Sequence, residues 1–380
     1  MAFALTGATI FDGERLVDGA AVIVDGDRIV AVRSGQDLGT EIERVAIEGL
    51  LAPGFVDIQV NGGGGVLFNA APTVDAIAAI GAAHRRFGTT GFLVTFISDD
   101  RAQMRRAAEA VRAAIAAGVP GLLGVHFEGP WLSLARKGAH DGRFLRDFDA
   151  ADFDLLTEAG LGRVHVTVAP ERVAAADIVR FAKAGIIVSA GHTEADVETL
   201  RRARAAGLTG YTHLFNAMPP LTGRAAGPIG AALDDPEAWC GLIVDLQHVG
   251  AESLRIAIAA HGWQRMMLVT DAMPTVGTDA DGFELYGRRI EKRGGRLVNE
   301  AGALAGSDLD MASAVRNSVE ALGLPIEAAL RMASRNPAEF LDLDDIGRIA
   351  PGYRANLVLL DGAMRTVNSW IDGKRSERQI

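Results

Sequence analysis

The chain has 380 residues, with 38 Lys plus Arg against 48 Asp plus Glu and a net charge of −10. Its content of 49% hydrophobic and 23% charged residues excludes a disordered or fibrous chain. The negative charge argues against a nucleic-acid binder, whose surface is usually basic, but it leaves room for a local cationic pocket.

The two ends of the chain contain short strand-like runs rich in Val and Ile. These runs are Ala20–Val24, Arg28–Val32, Val45–Ile47, Asn356–Leu360 and Thr366–Ile371. Neither end has enough apolar residues to build a core of its own. We therefore predict that residues 1–52 and 346–380 combine into one small β-sandwich domain.

The centre of the chain, residues 53–345, alternates between strand-like and helical segments. The strand-like runs are Phe55–Val60, Gly91–Ile97, Leu122–Phe127, Val164–Ala169, Ile186–Ala190, Gly210–Leu214, Leu242–Asp245 and Met266–Thr270. Helical segments between them include Val74–Arg86, Arg101–Ala117, Ala174–Lys183, Thr193–Ala206 and Ala251–Ala260. This alternation predicts an α/β fold, a (β/α)₈ TIM barrel, with a doubly wound open sheet as the alternative.

Acidic and histidine side chains lie at or near the carboxyl ends of four predicted strands. They are Glu128, His192, His213 and Asp271. In a parallel barrel these ends converge on one face, where active sites are built. One carboxylate and two imidazoles are a common ligand set for catalytic zinc, and a further carboxylate could act as a base. Each residue alone also fits a structural role, but their coincidence at four strand ends favours a metal site.

Other candidate residues stay open at this point. His126 lies two residues before Glu128 on the same side of its strand and is a rival ligand. His84 and His165 are placed in a helix and near the start of a strand, which favours structural roles. The Gly-rich run 61–65 lacks the motifs of nucleotide-binding loops and predicts a tight turn that admits substrate. Arg224 could bind a carboxylate or phosphate, or simply lie in solvent.

The single cysteine and the absence of long apolar runs set the expected compartment. Cys240 cannot form an internal disulfide or a multi-Cys zinc site, so a metal must be bound by His and carboxylates. Met1–Ile10 does not have the pattern of a signal peptide, and no run approaches the about 20 apolar residues of a membrane helix. We expect a cytoplasmic protein without a membrane partner.

Seven segments of the chain match a known family. They are Pro53–Gly62, His126–Trp131, Lys137–His140, Ser189–Thr193, Thr212–Pro219, Val269–Ala272 and Leu304–Ser307. On these segments the chain resembles, over essentially its whole length, the N-acetylglucosamine-6-phosphate deacetylases of the amidohydrolase superfamily. The first segment is generic to amidohydrolases, whereas His126–Trp131 and the His213–Pro219 run are specific to the deacetylase branch.

The resemblance implies a role for each site residue. The metal ligands would be Glu128, His192 and His213, with Asp271 as catalytic acid and base and His140 stabilising the oxyanion. The substrate-binding residues implied are Ala139, His140, Asn216, Ala217, Arg224, Asp245, His248, Leu304, Ala305 and Gly306. In the family the phosphate-binding arginine crosses a dimer interface, so Arg224 is expected to serve the neighbouring site of a homodimer.

The resemblance also implies the cofactor and the reaction. Many amidohydrolases have two His at the positions of Gln59 and Asn61, and neutral amides bind zinc poorly. We therefore expect one divalent metal per subunit, Zn²⁺ first and Fe²⁺ or Co²⁺ as alternatives, in a TIM barrel of the metal-dependent hydrolase type. The implied reaction is hydrolysis of the acetamide of N-acetylglucosamine 6-phosphate to glucosamine 6-phosphate and acetate, in amino-sugar catabolism. The alternatives are an amidohydrolase acting on another N-acyl sugar or a cyclic amide, and a non-catalytic barrel.

Overall fold

Eight parallel strands form the largest sheet of the computed structural model, which describes residues 2–39 and 41–376. Barrel strands one to eight are Phe55–Val60, Thr89–Ile97, Leu122–Glu128, Arg163–Val168, Ile187–Ala190, Gly210–Tyr211, Trp239–Leu242 and Met266–Leu268. Each pairs in parallel with its neighbour along the chain. A bridge between Val60 and Ala272 brings the eighth strand's end back to the first. The predicted (β/α)₈ barrel is confirmed, and the open sheet is excluded.

A helix follows every barrel strand. The α-helices of the described chain are Val74–Arg85, Arg101–Ala116, Ala150–Leu156, Ala175–Lys183, Val197–Ala206, Gly227–Asp234, Ala251–His261, Met311–Glu320, Ile326–Ala333 and Arg335–Phe340. Short 3₁₀ helices span Gly35–Asp37, Leu134–Arg136 and Trp263–Arg265. None of the helices within residues 2–39 and 41–376 combines the length and apolarity needed to cross a bilayer.

The helix after the second strand shows how sequence sets these elements. Its N-cap residue, Asp100, accepts a hydrogen bond from the backbone N–H of Gln103 at 2.8 Å, which satisfies one of the free donors of the first turn. Met104, Ala107 and Val111 recur at helical spacing and are buried against the barrel. The helix therefore presents one apolar stripe to the core.

Several predicted boundaries were wrong. The sixth strand ends at Tyr211 and not at Leu214, and the eighth ends at Leu268 and not at Thr270. The helix expected from Thr193 begins at Val197, because the Asp196 side chain caps it by accepting from the Thr199 N–H at 2.8 Å. The seventh strand lies earlier than predicted, at Trp239–Leu242. Asp245, expected at the end of that strand, instead accepts the N–H groups of a following turn.

The two ends of the chain pair in one β-rich unit. A four-stranded sheet has the order Arg28–Ser34, Ala20–Asp25, Phe3–Thr6 and Glu43–Ala46. A six-stranded sheet has the order Lys374–Arg375, Thr366–Ile371, Leu357–Leu360, Leu50–Pro53, Thr9–Phe11 and Leu16–Val17. Leu5, Val24, Leu51, Leu359 and Trp370 belong to one apolar core shared by both sheets, as a sandwich requires. The domain boundaries at residues 52 and 346 stay predictions.

An antiparallel insertion follows the eighth barrel strand and was not predicted. Its strands are Gly282–Leu285, Arg288–Arg293 and Arg296–Val298. A two-stranded ribbon, Gly62–Gly63 with Val66–Leu67, follows the first barrel strand. Phe283 and Leu297 of the insertion pack in one cluster with Leu67, Ile97 and Met273. The insertion is therefore anchored on the carboxyl-end face of the barrel.

A buried carboxylate holds the segment after the third strand. Asp152 is fully buried and accepts hydrogen bonds from Trp131 Nε1 at 3.0 Å, Arg101 Nε at 3.0 Å and Arg146 Nη2 at 2.6 Å. These three donors come from three different parts of the chain. Removing the acceptor would leave all of them without their partner.

We predict that Asp152→Ala lowers the free energy of unfolding by about 3 kcal/mol, because it leaves paired donors unsatisfied at a buried position. Urea denaturation with a two-probe readout measures this change. The matched control is Asp154→Ala, since Asp154 lies exposed on the same helix and should change stability by less than about 0.5 kcal/mol. Equal stability losses in the two variants would contradict the prediction.

Candidate active site

A cavity of about 150 Å³ opens at the carboxyl ends of the barrel strands. Its lining consists of Ile97, Glu128, Gly138, Ala139, His140, His192, His213, Asn216, Ala217, His248, Asp271, Met273, Leu304 and Gly306. The barrel topology thus brings together side chains that are far apart in sequence. All four strand-end residues singled out from the sequence lie in this one cavity.

Several of these residues adopt left-handed backbone conformations. His192 has φ of 48°, His213 of 32°, Ala217 of 53° and Asp271 of 52°. Left-handed backbone is unfavourable for residues with a Cβ and concentrates at functional sites. At His192, His213 and Asp271 the chain turns two or three residues after a strand, and the side chain lines the cavity.

Three donor atoms form a nearly equilateral triangle. Glu128 Oε1 lies 3.0 Å from His192 Nε2 and 2.9 Å from His213 Nε2, and the two imidazole nitrogens are 3.0 Å apart. Tetrahedral coordination at 2.0–2.1 Å would separate its ligand atoms by about 3.3 Å. The three side chains are almost fully buried. The triangle therefore has the size and the donor chemistry of a three-residue zinc-type site.

Hydrogen bonds fix the protonation of two ring nitrogens in the cavity. His192 Nδ1 lies 2.8 Å from the carbonyl oxygen of Arg136, which can only accept, so the ring's lone pair is on Nε2. His140 has the opposite tautomer, because its Nδ1 accepts from the Ser98 backbone N–H at 3.3 Å. Its Nε2 therefore carries the hydrogen. A metal ligand needs the lone pair that His192 Nε2 has and His140 Nε2 lacks.

The tautomers of His140 and His192 distinguish two possible ligand sets. The ligand atoms of Glu128, His140 and His192 also lie within 4.8 Å of one another, so distance alone would admit His140. The shorter triangle and the protonated His140 Nε2 favour Glu128, His192 and His213. The His213 Nδ1 is buried and has no hydrogen-bond partner among the described residues.

The charges at this triangle are strongly coupled. Burial raises the pKa of Glu128, but the close approach of the His192 and His213 rings to its carboxylate outweighs burial and holds the pKa well below its usual value. Burial lowers the pKa of His213, but the same carboxylate raises it more. Burial and the neighbouring His192 lower the pKa of His140 to about 3, so that ring is neutral. The site thus places two imidazoles and a neutral third ring around one carboxylate, an arrangement that suits a cation.

Asp271 is held by the amides of the first strand. Its Oδ1 accepts hydrogen bonds from Asn61 Nδ2 at 2.7 Å and from Gln59 Nε2 at 3.3 Å. The same Gln59 nitrogen also donates to Glu128 Oε2 at 3.1 Å. Its Oδ2 receives no hydrogen bond from the described residues. Burial and the Glu128 charge raise the pKa of Asp271 to about 6, a value suited to a group that takes and returns a proton.

The cavity also contains polar groups that are candidates for binding substrate. His248 Nδ1 lies 2.6 Å from Asp245 Oδ2. Burial raises the pKa of Asp245, but the hydrogen bond with His248 outweighs burial, so the pKa is lower than usual. Asn216 Nδ2 donates to the His213 carbonyl at 3.1 Å. Asp245 itself lies behind His248 and does not line the cavity. Ala305 lines an adjoining cavity shared with Ala139 and His140.

Arg224 is the one predicted substrate residue that lies apart. It is exposed, in a loop after the sixth strand whose residues 221–225 are all exposed. It does not line the cavity of its own chain. Within one chain the structure therefore does not bring Arg224 to the other site residues.

The remaining histidines have internal partners. His126 Nε2 lies 2.7 Å from Thr167 Oγ1 and its Nδ1 3.2 Å from Thr95 Oγ1, so both nitrogens are occupied and His126 is not a ligand. His84 Nε2 lies 2.9 Å from the Gly62 carbonyl, and His165 Nε2 lies 2.8 Å from Ser189 Oγ.

Sequence reasoning missed Ile97, Ser98, Met273 and Tyr286, which line or support the cavity. Ser98 follows the second strand directly, so the rule that selected the other strand-end residues could have found it.

The chain is similar to known proteins over nearly its whole length. Residues 50–378 match the sequence profile of the Amidohydrolase family, and residues 2–51 match that of the NagA composite domain. An N-acetylgalactosamine-6-phosphate deacetylase of Shewanella sp. (strain ANA-3) is 44% identical over 326 residues, covering 86% of this chain and 83% of its own length.

Two solved structures have the same fold over nearly the whole chain. The crystal structure of N-acetylglucosamine-6-phosphate deacetylase from Pasteurella multocida has a TM-score of 0.96 at 32% identity and covers 100% of both chains. An Asp-to-Ala mutant of N-acetyl-D-glucosamine-6-phosphate deacetylase from Mycobacterium smegmatis, in complex with N-acetyl-D-glucosamine-6-phosphate, has a TM-score of 0.92 at 34% identity. It covers 98% of this chain and 99% of its own.

We predict that Glu128→Gln, His192→Asn and His213→Asn each weaken metal binding by a factor on the order of 10 or more, since even loss of an outer partner costs about 10–100-fold. His140→Asn should retain the metal. Metal analysis of the purified variants after equilibration with limiting Zn²⁺ measures the difference. Loss of metal in His140→Asn together with retention in His213→Asn would assign the site to the other set of residues.

Proposed function

Because this chain belongs to the Amidohydrolase family, we propose that it hydrolyses the acetamide of N-acetylglucosamine 6-phosphate to glucosamine 6-phosphate and acetate, in amino-sugar catabolism. The observation that carries the proposal is the donor triangle of Glu128, His192 and His213 with Asp271 in the same cavity. The near-complete overlap with structures of deacetylases supports the same reaction.

The cofactor in this proposal is one divalent cation, Zn²⁺ first and Fe²⁺ or Co²⁺ as alternatives. Glu128, His192 and His213 would hold it, and it supplies Lewis-acid chemistry that acidifies water and polarises the acetyl carbonyl. A single ion is supported by Gln59 and Asn61, whose amides already donate to Glu128 and Asp271. A second cation would have to displace these hydrogen bonds.

Asp271 moves the proton in the proposed mechanism. Its carboxylate takes a proton from the attacking water, whose oxygen forms the new bond to the acetyl carbon. When the carbon–nitrogen bond breaks, Asp271 delivers that proton to the departing nitrogen, which leaves as the amine of the sugar. The hydrogen bonds from Asn61 and Gln59 hold one carboxylate oxygen in place during both transfers.

His140 stabilises the charge that develops on the acetyl oxygen. Its ring is neutral with the hydrogen on Nε2, so it can donate to an oxyanion without itself changing charge. A well-placed donor of this kind contributes about 2.7–4 kcal/mol to the transition state. Ala139 and the segment Leu304–Gly306 would line the sugar beside it.

The phosphate would be bound by polar groups in the part of the cavity that contains His248. His248, supported by Asp245, together with Asn216 and Ala217, supplies donors there. Arg224 is exposed on its own chain, and we assign it to the site of the neighbouring subunit in a homodimer. Such remote contacts hold the acetyl group in register with the reacting groups. Because a charged sugar phosphate does not cross a bilayer unaided, the proposed compartment is the cytoplasm.

A second candidate substrate is N-acetylgalactosamine 6-phosphate. It is favoured by the 44% identity to the Shewanella N-acetylgalactosamine-6-phosphate deacetylase. The two sugars differ only in the orientation of the hydroxyl at carbon 4, so the same catalytic groups serve both. The ratio of kcat/KM for the two 6-phosphates decides which one is the better substrate.

We predict that Asp271→Asn lowers kcat for N-acetylglucosamine 6-phosphate by about 10²–10⁴-fold, because the amide cannot accept the water's proton. Acetate release measures kcat, and metal content and thermal stability should stay at the wild-type level. Asp279→Asn is the matched control, since Asp279 is exposed in the same loop region and should leave kcat unchanged. Near-wild-type turnover in Asp271→Asn would refute its proposed role.

We predict that Arg224→Ala lowers the preference for phosphorylated over free N-acetylglucosamine by about tenfold or more, because a charge-assisted contact to phosphate is lost. The measurement is the ratio of the two kcat/KM values, with the exposed Arg201→Ala as control.

A mixing experiment tests the exchange of Arg224 between subunits. A dimer of one Arg224→Ala subunit and one Asp271→Asn subunit should contain one complete site, so co-refolding the two variants should restore activity. Absence of restoration, with hybrid dimers present, would place Arg224 at its own site.

A further inference from the structure

Ser98 is a buried residue at the carboxyl end of the second barrel strand, and the proposed mechanism has not used it. Its backbone N–H donates to His140 Nδ1 at 3.3 Å, and its Oγ lies 2.7 Å from the same nitrogen. The Oγ is also 3.4 Å from the Glu128 carbonyl oxygen. Ser98 therefore places two donors on one side of the His140 ring.

These contacts leave only one tautomer for His140. A hydrogen on Nδ1 could donate to Ser98 Oγ, but the Ser98 backbone N–H would then face a donor and lose its acceptor in a buried site. With Nδ1 bare, both the N–H and the hydroxyl of Ser98 can donate to it. The 2.7 Å Oγ contact is the shorter of the two and supplies the stronger bond.

The position of Ser98 is itself fixed from two sides. Asn69 exchanges two hydrogen bonds with the backbone of Ile97, at 2.9 and 3.0 Å, just before Ser98. Tyr286, in the turn between the first two strands of the insertion, donates its hydroxyl to the Ser98 carbonyl at 2.5 Å. The Tyr286 backbone is left-handed, with φ of 51°, which directs this side chain out of the turn. The insertion thus reaches the peptide that holds His140.

We infer that Ser98 is a positioning residue that fixes His140 in the tautomer with its hydrogen on Nε2, and that Tyr286 holds Ser98 in place for this task. The inference rests on the proposed function in one respect, namely that His140 acts as the donor to the acetyl oxygen. In this tautomer His140 can donate to the substrate and cannot bind the metal.

The test compares Ser98→Ala with Ser189→Ala. Ser189 provides a matched control, because its hydroxyl bonds to a ring nitrogen of buried His165 at 2.8 Å, outside the cavity. In protein with ¹⁵N-labelled histidines, long-range ¹H–¹⁵N spectra distinguish the two ring nitrogens, and a His140→Gln variant assigns the His140 signals. The wild type should show a protonated Nε2 and a bare Nδ1 for His140, both with and without Zn²⁺.

In Ser98→Ala the two ¹⁵N shifts of His140 should move toward each other, as the second tautomer becomes populated. The kcat should fall about tenfold, while KM stays within about twofold, because only transition-state stabilisation is lost. Tyr286→Phe should move the His140 ¹⁵N shifts and kcat in the same directions as Ser98→Ala does, but by smaller amounts. Ser189→Ala should change neither the His140 signals nor kcat.

A His140 with its hydrogen on Nδ1 in the wild type would overturn the inference. So would an unchanged His140 tautomer in Ser98→Ala, whatever happens to kcat, because any loss of activity would then have another structural cause. The spectra also separate this inference from the proposed function. If the wild type releases no acetate from either 6-phosphate, the proposed function fails, while the tautomer comparison still decides whether Ser98 controls His140.

Discussion

Closure of the barrel between its eighth and first strands is the constraint on which the site depends. The Asp57 carboxylate accepts from Thr270 Oγ1 at 2.5 Å and from the Thr270 N–H at 3.3 Å, and the Asp271 N–H donates to the Gln59 carbonyl at 3.0 Å. Burial raises the pKa of Asp57 to about 7, so this contact is made by a carboxyl that is costly to ionise. The junction places Asp271 beside the side chains of the first strand.

This junction brings Gln59 and Asn61 to the two carboxylates at one side of the cavity. A carboxylate next to another carboxylate needs positive charge or hydrogen-bond donors nearby. Here Gln59 donates to both Glu128 and Asp271, and Asn61 donates to Asp271. Two neutral amides thus stabilise the negative charge at this side of the cavity. The single cation of the proposed mechanism would be bound where the imidazoles of His192 and His213 face Glu128.

The sequence predicted the parts of the site that follow from barrel topology and not the parts that follow from local geometry. Glu128, His192, His213 and Asp271 could be found because any residue just after a parallel strand lies on the same face. The tautomers of His140 and His192 depend on single backbone groups, the Ser98 N–H and the Arg136 carbonyl, and no sequence pattern specifies these contacts. The insertion was missed because its short strands are rich in charged residues and are separated by glycines, a composition typical of an exposed loop.

The ring nitrogens show why topology alone does not define the chemistry. His140 and His192 lie in the same cavity with ring centroids 4.5 Å apart, and both are buried. Distance would allow either to bind a metal. One ring donates to a carbonyl and exposes a lone pair, whereas the other accepts from an amide and exposes a hydrogen. The backbone around each ring therefore decides which imidazole can bind a cation and which can donate to an oxyanion.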